Sequence, residues 1–199
     1  MKRWLLLAGL VSAFAGVCLA QKEEETLLGQ ARVQGGFGGP FWVASRAVGD
    51  AGWGAGGGGG AIIGHFFIGG FGQGEAFGRR TIQNVEHEYS LGFGGLWLGA
   101  VYPSHRLIHL FSSLKVGGGG VSLVPRERGS SRGYNDGVFV VVPEAGIELN
   151  VVKWFRLVGT VGYRWVGGIS GPSAYFKPGD FDSVVWGITL RFGSFGRAN

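Results

Sequence analysis

Apolar and polar residues alternate along segment 183–193, SVVWGITLRFG, near the end of the chain. The even positions carry the large apolar residues, whereas the odd positions are mostly small or polar, as at Gly187, Thr189 and Arg191. A period of two is typical of a β-strand whose two faces meet different surroundings. The pattern predicts a strand with one large apolar face and one face of small and polar side chains.

The same alternation recurs along the rest of the chain. The predicted strands span residues 31–46, 52–63, 65–76, 86–102, 107–122, 138–150, 155–167 and 183–193. In the second segment the glycine run 56–60 hides the register, because glycine has no side chain to mark a face. In the sixth segment Pro143 predicts a β-bulge, because proline cannot donate a ladder hydrogen bond.

The connections between the predicted strands differ at the two ends. The links after the second, fourth and sixth strands are tight, whereas segments 78–84, 125–136 and 170–182 are longer and polar. Short turns at one end, long loops at the other and an even number of antiparallel strands are typical of outer-membrane barrels. The sequence therefore predicts an all-β fold, an eight-stranded antiparallel up-and-down transmembrane barrel.

Side-chain size decides which face we expect to meet lipid. An eight-stranded barrel has an interior just wide enough for side chains, so the face rich in Gly, Ser, Thr, Glu and Arg is predicted to point inward. In segment 86–102 this rule turns Glu86 and Glu88 inward and Tyr89 and Trp97 outward. Tryptophans near strand ends or on the apolar face predict interfacial belts at Trp42, Trp97, Trp154, Trp165 and Trp186.

The N-terminal residues predict export. Segment 1–20 has basic residues before an apolar run that ends in small residues, the pattern of a signal peptide cleaved after Ala20. We expect a periplasmic lead at 21–30, the barrel at 31–193 and a tail at 194–199. The one cysteine lies in the leader, so the exported chain has no disulfide to stabilise it. Removal of the two basic residues of the leader leaves 16 basic against 13 acidic residues, a formal charge of +3, which with the scattered basic residues is too mild to predict nucleic acid as a partner.

From residue 31 to 192 the chain resembles small eight-stranded outer-membrane β-barrel proteins of Gram-negative bacteria, of the uncharacterised glycine-rich type. The resemblance rests on the leader, the alternation, the loop asymmetry and the aromatic end of the last strand at Phe192. The chain departs from the usual pattern because 193–199 follow that aromatic residue. The resemblance implies a cell outer-membrane location, insertion by the barrel assembly machinery, and contact with membrane lipid and lipopolysaccharide. We expect a monomer.

Charged residues on the predicted inner faces form the first candidate site. Unpaired charge is costly in a narrow interior, so we expect a paired network. It is either a salt-bridged core that fills a closed barrel, or a gated polar path or a proton-sensitive plug. Its predicted members are Glu86, Glu88, Lys115, Glu144, Glu148, Arg156, Arg164 and Arg191. A second set of basic loop residues is predicted to contact partners or lipopolysaccharide phosphates: Arg79, Arg80, Arg126, Arg128 and Arg132.

The histidines do not predict a metal or catalytic site. His105 and His109 are four residues apart, which places them about 13 Å apart along a strand. The same spacing separates His109 from Ser113 and argues against a Ser-His pair of the lipid-modifying hydrolases. We therefore expect no enzyme, no cofactor and no metal, and a structural or surface-interaction role. The alternatives are a small porin-like channel, a lipid-modifying enzyme, and a secreted soluble glycine-rich β-protein.

Overall fold

The computed structural model describes residues 33–82, 85–102, 106–125, 134–170 and 176–195. The predicted leader and periplasmic lead lie outside these residues. The described chain forms one closed barrel in which each strand pairs antiparallel with its neighbours in sequence and the last strand pairs with the first. The strands are β1 (Val33–Ala47), β2 (Asp50–Ile63), β3 (Phe66–Ile82), β4 (Val85–Tyr102), β5 (Ile108–Pro125), β6 (Tyr134–Val152), β7 (Phe155–Gly167) and β8 (Ser183–Ser194). The predicted eight-stranded up-and-down barrel is confirmed.

The two ends of the barrel differ, and we name them by what they hold. The terminal end holds Val33 and Ser194, together with the tight turns after β2 and β6. The loop end holds the turn between β1 and β2 and the segment between β7 and β8. In the turn between β1 and β2, Val48 has a φ of 53°, which is unusual for a β-branched residue. A hydrogen bond of 2.7 Å from the Val48 N–H to the Asp180 carbonyl holds it and ties the two loop-end connections together.

Strands β3 and β4 extend further toward the loop end than the sequence predicts. Segment 78–84 is predicted as a loop, but residues 78–82 continue β3, and β4 begins at Val85. The register shifts between Ala76 and Arg79 and then resumes with Arg79 opposite Glu88. The prediction was wrong because a segment with polar side chains can also form a paired strand, here beyond the part of the wall that apolar side chains cover. The pairing of β6 with β5 keeps its register through Pro143, and β6 shifts against β7 only between Asn150 and Val152, so the predicted bulge is absent at Pro143.

Large apolar side chains cover the outer wall around the barrel. Relative exposure is 73% at Trp53, 68% at Leu110 and 62% at Trp186. Further exposed apolar residues are Trp42, Phe66, Ile68, Leu96, Tyr102, Ile108, Phe139, Ile147, Trp154, Trp165 and Ile188. In water such a surface would be costly, because each large apolar side chain contributes roughly 1.5–3 kcal/mol when it is fully buried.

An aromatic cluster fills much of the interior. The ring of Trp97, which is 1% exposed, lies 5.6 Å from Phe37, 5.9 Å from Phe41 and 5.5 Å from Phe67, in edge-to-face contacts. The glycines of β2 leave room for these rings, since a Cβ added at Gly58 would lie 2.9 Å from the Trp97 ring. Large side chains from one part of the wall therefore occupy the space that glycine leaves in another.

The predicted faces of β4 are reversed. Tyr89, Leu91, Phe93, Trp97 and Val101 are buried inside the barrel, although their size predicts the lipid face. The four strands from β5 to β8 have the predicted orientation, for example with Ile108 and Leu110 outside and His109 inside. Trp97 consequently belongs to no interfacial belt. The rule from size fails at β4 because the interior face of β2 carries glycines, such as Gly56 and Gly58, and leaves room for aromatic rings.

Candidate functional site

The first group of interior charges lies near the terminal end and converges on Glu148. Strands β5, β7 and β8 supply the partners, because His109, Arg156 and Arg191 lie close to the terminal ends of their strands. One Glu148 oxygen accepts hydrogen bonds from His109 Nε2 at 2.9 Å and from Arg156 Nη1 at 2.6 Å. The other oxygen accepts one from Arg191 Nη1. The carboxylate thus joins four strands.

Aromatic rings pack on the guanidinium groups of this cluster. The Arg191 guanidinium carbon lies 3.6 Å from the centroid of the Phe37 ring. The Arg156 guanidinium carbon lies 4.0 Å from the centroid of the Phe195 ring, which is 9% exposed although it follows the last strand. A cation over an aromatic face is attracted to the ring electrons, and more strongly where water is excluded. The cluster is therefore held by charge and by ring packing together.

A second interior pair lies in the middle of the barrel. Lys115 Nζ donates to Glu144 Oε1 at 2.9 Å, and the two side chains are 3% and 4% exposed. Ser113 Oγ donates to the other carboxylate oxygen of Glu144 at 2.8 Å. The ammonium also lies 4.3 Å from the centroid of the Phe41 ring. This buried pair is fully hydrogen-bonded at the carboxylate, as a buried ion pair must be to persist.

A third group lies toward the loop end and is built around Arg164. Its Nη1 donates to Glu75 Oε1 at 2.6 Å, and both side chains are fully buried. Ser45 donates to the same carboxylate, and Gln73 Nε2 donates to it at 3.0 Å. Sequence reasoning missed Glu75, although its alternation with Gln73 and Phe77 in β3 is a readable signal for an inward face.

The segment between β7 and β8 packs into the loop end. Phe176 and Phe181 are 2% and 0% exposed and contact Tyr89, with ring centroids 6.4 Å and 6.5 Å away. The Phe181 carbonyl accepts a hydrogen bond of 2.8 Å from Arg164 Nε. The Tyr89 hydroxyl donates to Asp50 Oδ2 at the adjacent turn. The loop end is thereby covered by aromatic side chains that belong to the same packed interior.

Six members of the predicted network lie in the interior, in the three separate groups described above: Lys115, Glu144, Glu148, Arg156, Arg164 and Arg191. Glu86 and Glu88 do not, and their predicted inward placement was wrong. Glu88 is exposed, and Glu86 contacts Arg79 at 3.5 Å with both side chains about half exposed (43% and 53%). The reason is the reversal of β4, which places every second residue from Glu86 onward on the outer face.

The predicted loop contacts are only partly within the described residues. Arg79 is exposed and lies in β3 instead of a loop, and the backbone of Arg80 also lies in β3. The remaining members of this set, Arg126, Arg128 and Arg132, lie outside the described residues.

The described residues contain no group of three or more His, Cys, Asp or Glu side chains that could hold a metal ion. His105 lies outside the described residues. His109 and Ser113 both point inward but bond to different carboxylates, Glu148 and Glu144. Where the structure describes the chain, it has no helix long and apolar enough to cross a membrane.

Comparison with known proteins supports the fold. No protein-family model matches the chain. A sequence search of curated proteins finds no match either. Among solved structures, Neisserial surface protein A (NspA) aligns with a TM-score of 0.51 and 10% identity over 80% of this chain and 93% of that one.

Two further solved structures align with lower scores. The N-terminal β-barrel domain of Pseudomonas aeruginosa OprF has a TM-score of 0.46 and 8% identity, over 82% of this chain and 99% of that one. Ail, the attachment invasion locus protein of Yersinia pestis, has a TM-score of 0.40 and 14% identity, over 80% of this chain and 96% of that one. The closed eight-stranded barrel and its alignment with NspA confirm, at the level of the fold, the predicted resemblance to small eight-stranded outer-membrane barrels.

Proposed function

We propose that this chain is an integral outer-membrane β-barrel protein with a closed, filled interior and a structural or surface-interaction role. The observation that carries the proposal is the contrast between the two sides of the wall. Outside, Trp53, Leu110 and Trp186 are each more than 60% exposed. Inside, fully buried ion pairs and aromatic rings fill the barrel. A lipid environment makes the exposed apolar surface favourable, whereas water would penalise it.

The aromatic residues on the outer wall support a membrane orientation. Tyr102 and Trp154 are exposed at the terminal end, whereas Trp53 and Trp165 are exposed toward the loop end. Amphipathic rings favour the two membrane interfaces, where one edge meets lipid and the other meets water. Strands of 12 to 19 residues exceed the roughly 9–11 needed to cross a bilayer at a tilt. They therefore span the membrane and project beyond it at the loop end.

The filled interior argues against the porin-like alternative. The Lys115–Glu144 pair and the ring of Trp97 occupy the middle of the barrel, and Phe176 and Phe181 cover the loop end. The charged groups are bonded to one another, so their main contribution is to hold strands together. The proposal includes no catalytic reaction.

The partners follow from the proposed location. Among the described residues, the exposed guanidinium of Arg79 makes a loose contact of 3.5 Å with Glu86, and it can exchange this partner for a lipopolysaccharide phosphate. The proposal extends this role to Arg80, Arg126, Arg128 and Arg132. It also includes export through a cleaved signal peptide, insertion by the barrel assembly machinery, and a monomeric state.

Fractionation and heat-modifiability test the proposal. The full chain is expressed with its leader in a Gram-negative host, outer membranes are isolated, and boiled and unboiled samples are compared on a denaturing gel. We expect a membrane-bound band whose mobility shifts on boiling. A soluble protein without a shift would support the secreted β-protein instead, and a conductance above background in planar bilayers would support the channel.

A matched pair of variants makes the test specific to the outer wall. Ile188→Arg places a charge on an outward position of β8 that is 56% exposed, and we expect it to lower the recovery of folded barrel from membranes. Ser194→Arg places the same charge at the end of the same strand. Charge on a lipid-facing wall costs about 2–4 kcal/mol at the midplane and about 0–1 near the interface. Equal recovery of the two variants would count against a lipid-facing β8.

A further inference from the structure

The described charges at the terminal end do not balance. Basic side chains there outnumber acidic ones, because Glu148 is the one described carboxylate near this end. The basic residues are Arg106, Lys153, Arg156 and Arg191. Toward the loop end the described charges are mixed, with Asp50, Glu75 and Asp182 among them. Excess positive charge is therefore concentrated at the terminal end of the described barrel.

Part of this excess is buried. The side chains of Arg191 and Glu148 are 1% and 0% exposed, and that of Arg156 is 12% exposed. Both guanidinium groups bond to the same carboxylate, which can neutralise one of them. Within the described residues, Arg191 Nε has no hydrogen-bond partner. An uncompensated buried charge is strongly unfavourable, so the arrangement favours a further anion.

A cavity lies against one of these two guanidinium groups, that of Arg156, whereas Arg191 is not among its described lining residues. Its volume is about 970 Å³, and its walls include Lys153, Arg156, Gln34 and Phe195. The described lining residues include no Asp or Glu side chain. Arg156 uses Nη1 for Glu148, and a guanidinium has further N–H donors in a planar fork that matches an oxyanion. Lys153 is exposed and adds an ammonium group to the lining.

We propose that this terminal-end cavity is an anion site that takes a phosphate group, with Arg156 and Lys153 as its ligands. Phosphate suits the position because Trp154, which also lines the cavity, is 60% exposed on the outer wall. A tryptophan of this kind marks the headgroup level of a membrane. The phosphate can thus come from a lipid headgroup of the adjacent leaflet, which rests on the proposed membrane location, or from free phosphate.

The test uses the purified, folded barrel in nonionic detergent. Inorganic phosphate is titrated and followed by ³¹P NMR line width, and phosphatidylglycerol retention is measured separately by native mass spectrometry. We expect the wild-type barrel to bind at least one of these probes. Phosphate binding identifies free phosphate as a sufficient ligand, and retention of the lipid alone identifies the headgroup as the source.

Three variants locate the binding. Lys153→Gln should weaken it roughly fivefold, as expected for the loss of one exposed charge contact, and Arg156→Gln should weaken it further. Arg106→Gln removes an exposed charge at the same end without lining the cavity, and it should change binding less than twofold. Binding of neither probe to the wild type overturns the proposal. Two other results also overturn the proposal: Lys153→Gln leaves binding unchanged, or Lys153→Gln and Arg106→Gln weaken binding equally. Fractionation of the same variants reports separately on the membrane location.

Discussion

Glu148→Gln is the substitution that most severely tests the interior charges as a stabilising element. The side chain is fully buried, and three donors on three other strands converge on it. Glutamine keeps the size but removes the charge, so Arg156 and Arg191 remain buried with no described counter-ion near them. Breaking a buried ion pair by removing one partner costs about 3–5 kcal/mol. We therefore expect the free energy of unfolding to fall by about 4 kcal/mol.

Urea unfolding in lipid vesicles, followed by gel mobility and tryptophan fluorescence, measures the effect of Glu148→Gln. With a slope of about 2 kcal/mol per molar urea, the midpoint should fall by about 2 M. The matched control is Glu88→Gln, which makes the same chemical change at an exposed carboxylate and should stay within about 0.5 kcal/mol of wild type. Equal midpoints for the two variants would refute a stabilising role for the Glu148 cluster.

Three further changes test the interior at other levels. Lys115→Met should lower the free energy of unfolding by about 3 kcal/mol, because it leaves Glu144 buried without its cation. Adding Glu144→Gln should recover most of that loss. A double variant no more stable than the single one would contradict the pairing. Gly58→Ala should lower the free energy of unfolding by about 1–3 kcal/mol, since its Cβ would lie 2.9 Å from a tryptophan ring. Gly72→Ala meets open space and should change the free energy of unfolding by less than about 0.5 kcal/mol. The opposite order would show that the glycine faces of β2 and β3 are exchanged. Phe181→Ala removes a fully buried ring at the loop end and should lower the free energy of unfolding by about 3–5 kcal/mol. We expect no conductance of this variant in planar bilayers. An ion current would show that the loop end alone closes the barrel.

The alternation along the chain was sufficient to predict the barrel and most strand bounds. The predicted 155–167 coincides with β7, and 183–193 differs from β8 by one residue. Period-two patterning is local, so a sequence carries it directly. The closing pairs between β1 and β8 follow from an even number of antiparallel strands joined in order.

The direction in which a strand faces is less local, and β4 shows why. Both sides of a barrel wall in a membrane can be apolar, so large residues do not identify the lipid face by themselves. Trp97 is buried because Gly58 and its neighbours on β2 leave space opposite it. That complementarity joins residues far apart in sequence, and the glycine run 56–60 carried no register from which to read it.

The candidate site shows the same limit. Arg156, Arg164 and Arg191 lie on strands with clear alternation, and they point inward as the pattern indicates. Their division into separate groups depends on register between strands, which sequence did not provide. Glu75 pairs with Arg164 because β3 lies beside β2 and across the barrel from Arg164, and the sequence does not show this long-range contact.

Fluorescence quenching by lipids with brominated acyl chains tests most directly whether the outer wall faces lipid. Two variants keep a single tryptophan each, Trp186 on the outer wall at 62% exposure or Trp97 in the interior at 1%. After reconstitution into vesicles we expect strong quenching of Trp186 and little quenching of Trp97. Equal quenching of both, or quenching of neither, would contradict a lipid-facing barrel with a filled interior.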